Sequence, residues 1–234
     1  MKMRCAGIVA AMLVLFLGVG TSAAQSEGGS SGVSMLRTSS LSVYAGMGVG
    51  LADAPGMVNY LNTLADPSQQ LQNFATAVIF FGGAALPVSD SWEAGLEYAY
   101  LFKSYTIPTY GAGTYTVFYD LTMPTATAHY VIGGNGYFLK FGGGLGYTGG
   151  SVEQKSSFYG TDTTYTSHGV GIKADAIGQT AFDEHLYAYI SGALRWDLMG
   201  SPKDSRGDML QNHGQSASLS LFAAELEFGL TYYF

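Results

Sequence analysis

Ala223-Ala224-Glu225-Leu226-Glu227-Phe228-Gly229-Leu230-Thr231-Tyr232-Tyr233-Phe234 decides how this chain is read. Leu226, Phe228, Leu230, Tyr232 and Phe234 fall on one face of an extended strand, and Glu225, Glu227, Gly229, Thr231 and Tyr233 on the other. Two-residue alternation makes a strand with unlike faces. An apolar row that runs to a final aromatic is unusual in a soluble sheet, and related rows recur upstream.

Ser40 to Leu51 sends Leu41, Val43, Ala45, Met47, Val49 and Leu51 to one side, with Ser42, Tyr44, Gly46, Gly48 and Gly50 opposite. Trp92 to Tyr105 sets Ala94, Leu96, Tyr98, Tyr100 and Phe102 against Glu93, Gly95, Glu97 and Ala99. Tyr137–Val152 and Leu186–Leu198 repeat the pattern, with Leu139, Phe141, Leu145 and Tyr147, then Ile190, Leu194, Trp196 and Leu198, on the apolar side. Ala75–Val88 is apolar on both faces, so its register is open. Thr114–Ile132 (with Pro124 expected at a bulge), Thr163–Phe182 and Gln215–Phe234 bring the strands to eight.

The connections alternate in length. Ser89-Asp90-Ser91, Gly133-Gly134-Asn135-Gly136 and Asp183-Glu184-His185 are tight turns, while long links lie near 52–74, 106–113, 153–162 and 199–214. The expected fold is all-β: an eight-stranded antiparallel transmembrane β-barrel with short periplasmic turns and longer extracellular loops. A soluble sandwich or lipocalin-like barrel would hide its apolar rows; here the charges sit opposite them.

Lys2 and Arg4, the apolar run Ala6–Val19 and the small residues Ser22-Ala23-Ala24 make residues 1–24 a cleaved signal peptide. Its apolar stretch is shorter than the roughly 20 residues of a spanning helix. Residues 25–39, rich in Ser and Gly, form a flexible periplasmic lead-in, and 40–234 the barrel domain. Cys5, the one cysteine, leaves with the signal, so the exported chain has no disulfide or thiolate chemistry. Loss of Lys2 and Arg4 leaves eight basic against 17 acidic residues, a formal charge of −9. That excludes nucleic acid as a partner class and offers no broad cationic surface.

An eight-stranded barrel encloses a space that side chains nearly fill. The registers send Glu93, Glu97, Asp120, Lys140, Lys173, Asp175, Arg195, Asp197, Glu225 and Glu227 inward, where each must pair or meet water. Arg195 is expected to meet Glu225 or Glu227, and Lys140 and Lys173 to lie near Asp120 and Asp175. The network is either a narrow acidic pathway or a salt-bridge plug, and eight strands favour the plug. The inward glycines alternate along strands instead of opening a helix, so they cradle no phosphate, and no cofactor is expected. Asp53-Ala54-Pro55 opens a helix with Met57, Tyr60, Leu61 and Leu64 at helical spacing, a candidate lid. Tyr105, Tyr110, Phe158 and Tyr159 are expected in loops 2 and 3 as interface aromatics or partner contacts.

No catalytic constellation stands out. The four histidines read His129-Tyr130-Val131, His168-Gly169-Val170, His185-Leu186-Tyr187 and His213-Gly214-Gln215, none with the Ser two residues on that a small-barrel lipid A deacylase uses. Ser167 and His168 face opposite sides of one strand. No His, Asp and Glu spacing suits a metal. Histidines at the rim or surface, and no enzyme activity, are expected.

Glu227, Gly229, Tyr232 and Phe234 resemble the C-terminal targeting strand of bacterial outer-membrane β-barrels. The chain from Ser40 to Phe234 resembles the eight-stranded superfamily that includes the OmpA transmembrane domain, OmpX, OmpW and the opacity-type surface proteins. The resemblance implies residence in the outer membrane of a Gram-negative bacterium and assembly by the barrel-assembly machinery through the C-terminal strand. It also implies contact with outer-membrane lipid and lipopolysaccharide, and a structural or surface-interaction role in which the loops meet a host or other surface partner. The length and long loops are similar to those of OmpW-like proteins, which implies the alternative, a narrow conduit for a small, largely apolar ligand gated by loop 1.

Overall fold

The computed structural model describes residues 40–109, 113–134, 136–156 and 162–234. The signal peptide, the lead-in, Tyr110, Phe158 and Tyr159 lie outside the described residues. The strands are β1 (Ser42–Asp53), β2 (Phe74–Ser89), β3 (Trp92–Thr109), β4 (Gly113–Gly134), β5 (Tyr137–Ser156), β6 (Asp162–Ala181), β7 (Leu186–Met199), β8 (Gln211–Asn212), β9 (Gln215–Ser216) and β10 (Leu221–Tyr233). A helix, α1 (Pro55–Asn62), and a 3-10 turn at Pro67–Gln69 lie between β1 and β2. Eight strands close into an antiparallel barrel in the order β1-β10-β7-β6-β5-β4-β3-β2, and β8 and β9 form a separate short hairpin.

Alternation builds the wall. Leu96, Leu145, Val170, Leu198 and Phe228 stand 70%, 67%, 57%, 59% and 47% exposed on the outer face, while Glu97, Lys173 and Glu227 on the same strands are buried inside. A continuous apolar belt of that exposure would drive association in water; a bilayer covers it. No described helix is long and apolar enough to cross a membrane, and the strands are the elements that span it. At the seam, Gly46 pairs with Gly229 across β1 and β10. A Cβ on Gly46 would meet the Phe228 carbonyl oxygen and come within 2.6 Å of the Phe81 ring, so only glycine lets the two strands approach.

Three local expectations change. Pro124 makes no bulge: the β3–β4 register runs unshifted through Tyr98 and Pro124, and the β4–β5 pairing skips Met123 and Pro124 before resuming in the same frame. The lost N–H is absorbed without an extra residue. The register shift falls instead between Pro87 and Ser89. The last barrel strand begins at Leu221, not Gln215, because Ala217 and Leu219 turn into the buried core and Ser220 Oγ, held by Met199, seats the start of β10. Tyr105 belongs to β3, buried and stacked on Tyr119 at 6.2 Å, not to a loop surface.

Candidate functional site

Odd-numbered positions of β3, β4, β6, β7 and β10 and even-numbered positions of β5 face the lumen, and this parity assembles the site. Glu93 and Glu97 of β3, His129 of β4, Lys140 of β5, Lys173 and Asp175 of β6, Arg195 and Asp197 of β7, and Glu225 and Glu227 of β10 are all buried. Gly142 of β5 pairs with both His129 and Asp175, on either side of it. A Cβ there would stand 2.9 Å from His129 Cδ2, so its absence opens the way between the two side chains.

The contacts form one chain across the lumen. Lys140 Nζ donates to both oxygens of Glu93, at 2.8 and 3.0 Å. Glu93 lies 3.8 Å from His129 Nδ1, and His129 Nε2 lies 2.8 Å from Asp175 Oδ1. Asp175 Oδ2 is 3.6 Å from Lys173 Nζ, which donates to Glu97 at 2.8 and 2.9 Å and to Glu227 at 3.3 Å. Arg195 closes the chain, with Nη2 3.4 Å from Glu97 and Nε 3.3 Å from Glu225. Tyr189 donates to Glu227 at 3.2 Å and Thr148 to Asp197 at 2.5 Å. Five carboxylates thus meet three permanent cations and one histidine, each ammonium shared or chelated as a buried charge requires, and the sixth, Asp197, is held by Thr148.

Asp120 is not part of this set. It lies on the opposite face of β4 from Tyr119 and Leu121 and accepts a 2.9 Å bond from Ser151. His129 replaces it in the lumen and is no rim histidine. The signal for this lies in the sequence: Thr125, Thr127 and His129 alternate with Ala126, Ala128 and Tyr130. Lys140 accordingly pairs with Glu93, not Asp120. His168 does stand on the outer surface, 2.5 Å from the Tyr147 hydroxyl, and His185 Nδ1 lies 2.9 Å from the Tyr233 carbonyl. Among the described residues no group of three or more His, Cys, Asp or Glu could hold a metal ion.

The network has a floor and a roof. Val131, Phe138, Tyr187 and Tyr233 cluster at the short-turn end, with Lys140 Nζ 5.7 Å over the Tyr233 ring. At the long-loop end α1 lies in the mouth. Val58 is buried, and Met57, Tyr60 and Leu61, buried, with half-buried Leu64, pack among Ile79, Leu101, Leu121, Val152 and Leu219. Pro55 at the first helical position starts the helix without a side-chain cap. Gln154 donates to the Tyr60 hydroxyl at 2.8 Å, and Asn212 reaches Thr63 Oγ1 at 2.9 Å, tying α1 to β5 and to the β8–β9 hairpin. In the terminal strand, Glu227 faces the lumen, Gly229 the seam, and Tyr232 and Phe234 pack ring to ring at 5.1 Å, with the Phe234 N–H on the Leu41 carbonyl.

Closed antiparallel pairing, an apolar outer belt and a filled charged lumen describe a barrel built for a bilayer, and solved structures share its architecture. The attachment invasion locus protein Ail of Yersinia pestis, crystallised with the heparin analogue sucrose octasulfate, superposes with a TM-score of 0.51 at 14% identity over 84% of this chain and 99% of Ail. This chain has the fold of the bacterial outer-membrane β-barrels. Neisserial surface protein A shares this barrel with a TM-score of 0.52 at 14% identity, over 83% of this chain and 97% of its own. A major outer membrane protein of Thermus thermophilus follows with 0.50 at 10% identity, over 83% and 99%. No family model and no curated protein sequence matches the chain. At these identities the likeness of the barrels is one of fold.

Proposed function

We propose that the protein is a closed outer-membrane barrel of a Gram-negative bacterium that serves as a non-catalytic platform, presenting its long-loop end to external partners. The observation that carries this reading is the lumen. Tyr187 and Tyr233 fill its base, the chain from Lys140 to Glu225 crosses its middle, and Met57, Tyr60 and Leu61 fill its mouth. A barrel packed along its length has its chemistry on its surface. Sequence variety is tolerated in the loops that such a rigid wall positions.

The loop end does not suit a sulfated polysaccharide like the analogue bound to Ail. Among the described residues two of its exposed cations stand beside acids, Lys155 3.3 Å from Glu153 and Arg206 3.1 Å from Asp204, and Lys203 is exposed without an ion pair, so no cationic cluster forms. A protein partner fits this mixed surface better than a polyanion.

The test compares cells displaying the wild-type chain with cells displaying a barrel whose 54–73 and 201–219 segments are replaced by short turns. Attachment to animal-cell monolayers and uptake of small apolar solutes are measured in both. The proposal expects attachment to depend on the loops and uptake to stay level. Uptake that rises with the wild-type protein, without attachment, overturns it in favour of an OmpW-like conduit.

A further inference from the structure

Between β7 and β8 the chain reads Pro202-Lys203-Asp204-Ser205-Arg206-Gly207-Asp208-Met209. We infer that Arg206-Gly207-Asp208 at the tip of this segment is a docking epitope for a protein receptor that holds a divalent cation beside an acidic pocket. The inference rests on the surface-platform reading and names the partner that the platform would meet.

The tip is built and displayed. Lys203 bridges both Thr166 of β6 and Met209, so the two arms of the segment are anchored to the end of the barrel wall. The Asp204 N–H donates to the Asp208 carbonyl at 2.9 Å, and the Gly207 N–H donates to the Asp204 carbonyl at 3.1 Å, closing a tight reversal. Gly207 sits at φ +89°, a left-handed conformation that side chains resist. Asp204 Oδ1 accepts the N–H groups of Arg206 and Asp208, both at 2.9 Å, which fixes the backbone under the two charges. The Arg206 and Asp208 side chains are 77% and 72% exposed.

Those two charges set the chemistry of the partner. A guanidinium presents five donors in a planar fork, and a pocket of carboxylates reads it bidentately. The exposed Asp208 carboxylate is a hard oxygen ligand suited to Mg²⁺ or Ca²⁺ with an open coordination position. In the free protein Arg206 Nε and Nη2 rest on Asp204 Oδ2, each at 3.1 Å, and Nε lies 3.6 Å from Asp208. Exposed pairs of this kind contribute little, so a receptor can draw the guanidinium away while Asp204 Oδ1 keeps the turn.

The experiment uses the full mature chain refolded in lipid nanodiscs and a purified Arg-Gly-Asp-reading receptor ectodomain with Mg²⁺, measured by surface plasmon resonance. Wild type is expected to bind. Chelation of Mg²⁺, an excess of free Arg-Gly-Asp peptide, or Asp208→Glu, which keeps the charge but changes the reach, should each weaken binding by about tenfold or more. Absence of wild-type binding, or binding that Asp208→Glu leaves unchanged, overturns the inference. Separately, Ser205→Cys is displayed on intact cells and treated with a membrane-impermeant maleimide. Labelling supports an outward-facing tip, so that a binding failure then counts against the epitope alone. No labelling of a folded protein counts against the platform reading itself.

Discussion

The lower and upper halves of the lumen close the same barrel by opposite means. Below, Glu93, Glu97, His129, Lys140, Lys173, Asp175, Arg195, Glu225 and Glu227 fill it with linked charges. Above, Met57, Tyr60 and Leu61 of α1 meet Ile79, Leu101, Leu121 and Val152 in a core like that of a soluble domain. The first is held by complementarity, in which each member depends on a partner across the barrel. The second is held by buried apolar area and shape, and its contributions are shared among many contacts. Damage should therefore be concentrated below and graded above.

The largest effect is expected from Lys173→Met, which strips the ammonium shared by Glu97, Glu227 and Asp175. Breaking a buried pair on one side costs about 3–5 kcal/mol. Urea unfolding in vesicles should show that loss, and adding Glu97→Gln should return part of it. A single variant no worse than an ordinary surface change would show that the charged layer does not depend on each of its members. Leu61→Ala, in the upper layer, empties space in a fully buried site and should lower stability by about 2–4 kcal/mol. A neighbouring change such as Met57→Ala should then add to it in a graded way.

Tyr60→Phe sharpens the upper half. It removes the 2.8 Å bond from Gln154 while keeping the ring, and should cost about 0.5–1.5 kcal/mol in the same measurement. Asp183 lies outside both layers, in the turn before β7, and serves as the control. N–H groups of His185 and Leu186 hold its carboxyl below the ordinary carboxylate range. A depressed folded value means that its contribution is present above the ordinary range and is lost as pH falls through the folded value. Asp183→Ala should therefore unfold slightly more easily than wild type at neutral pH, and the two midpoints should converge in strong acid.

The same contrast explains what the sequence discloses. Lower-layer residues such as Glu97 and Glu227 alternate with lipid-facing Leu96 and Phe228, so period two reveals both faces at once. Asp120 falls outside the lumen for a reason of parity. It stands nine residues from His129 and cannot share a face with it, and the polar row Thr125, Thr127, His129 is the one that faces inward. In the upper layer β2 is apolar on both faces, since Ile79 and Phe81 meet the core while Phe80 and Leu86 meet lipid, and alternation vanishes. The helical spacing of Met57, Tyr60 and Leu61 marks α1 but not its place, because the partners Ala217 and Leu219 come from a segment more than 150 residues away.

The charged layer should seal the lumen without help from α1. Ion conductance in planar bilayers tests it most directly, on wild type and on a variant lacking residues 54–73, both shown to be folded by heat-modifiable migration. No discrete channels are expected from either, because the charged chain from Lys140 to Glu225 stays in place when α1 is gone. Stepwise channels from the wild type, or from the variant alone, would contradict it.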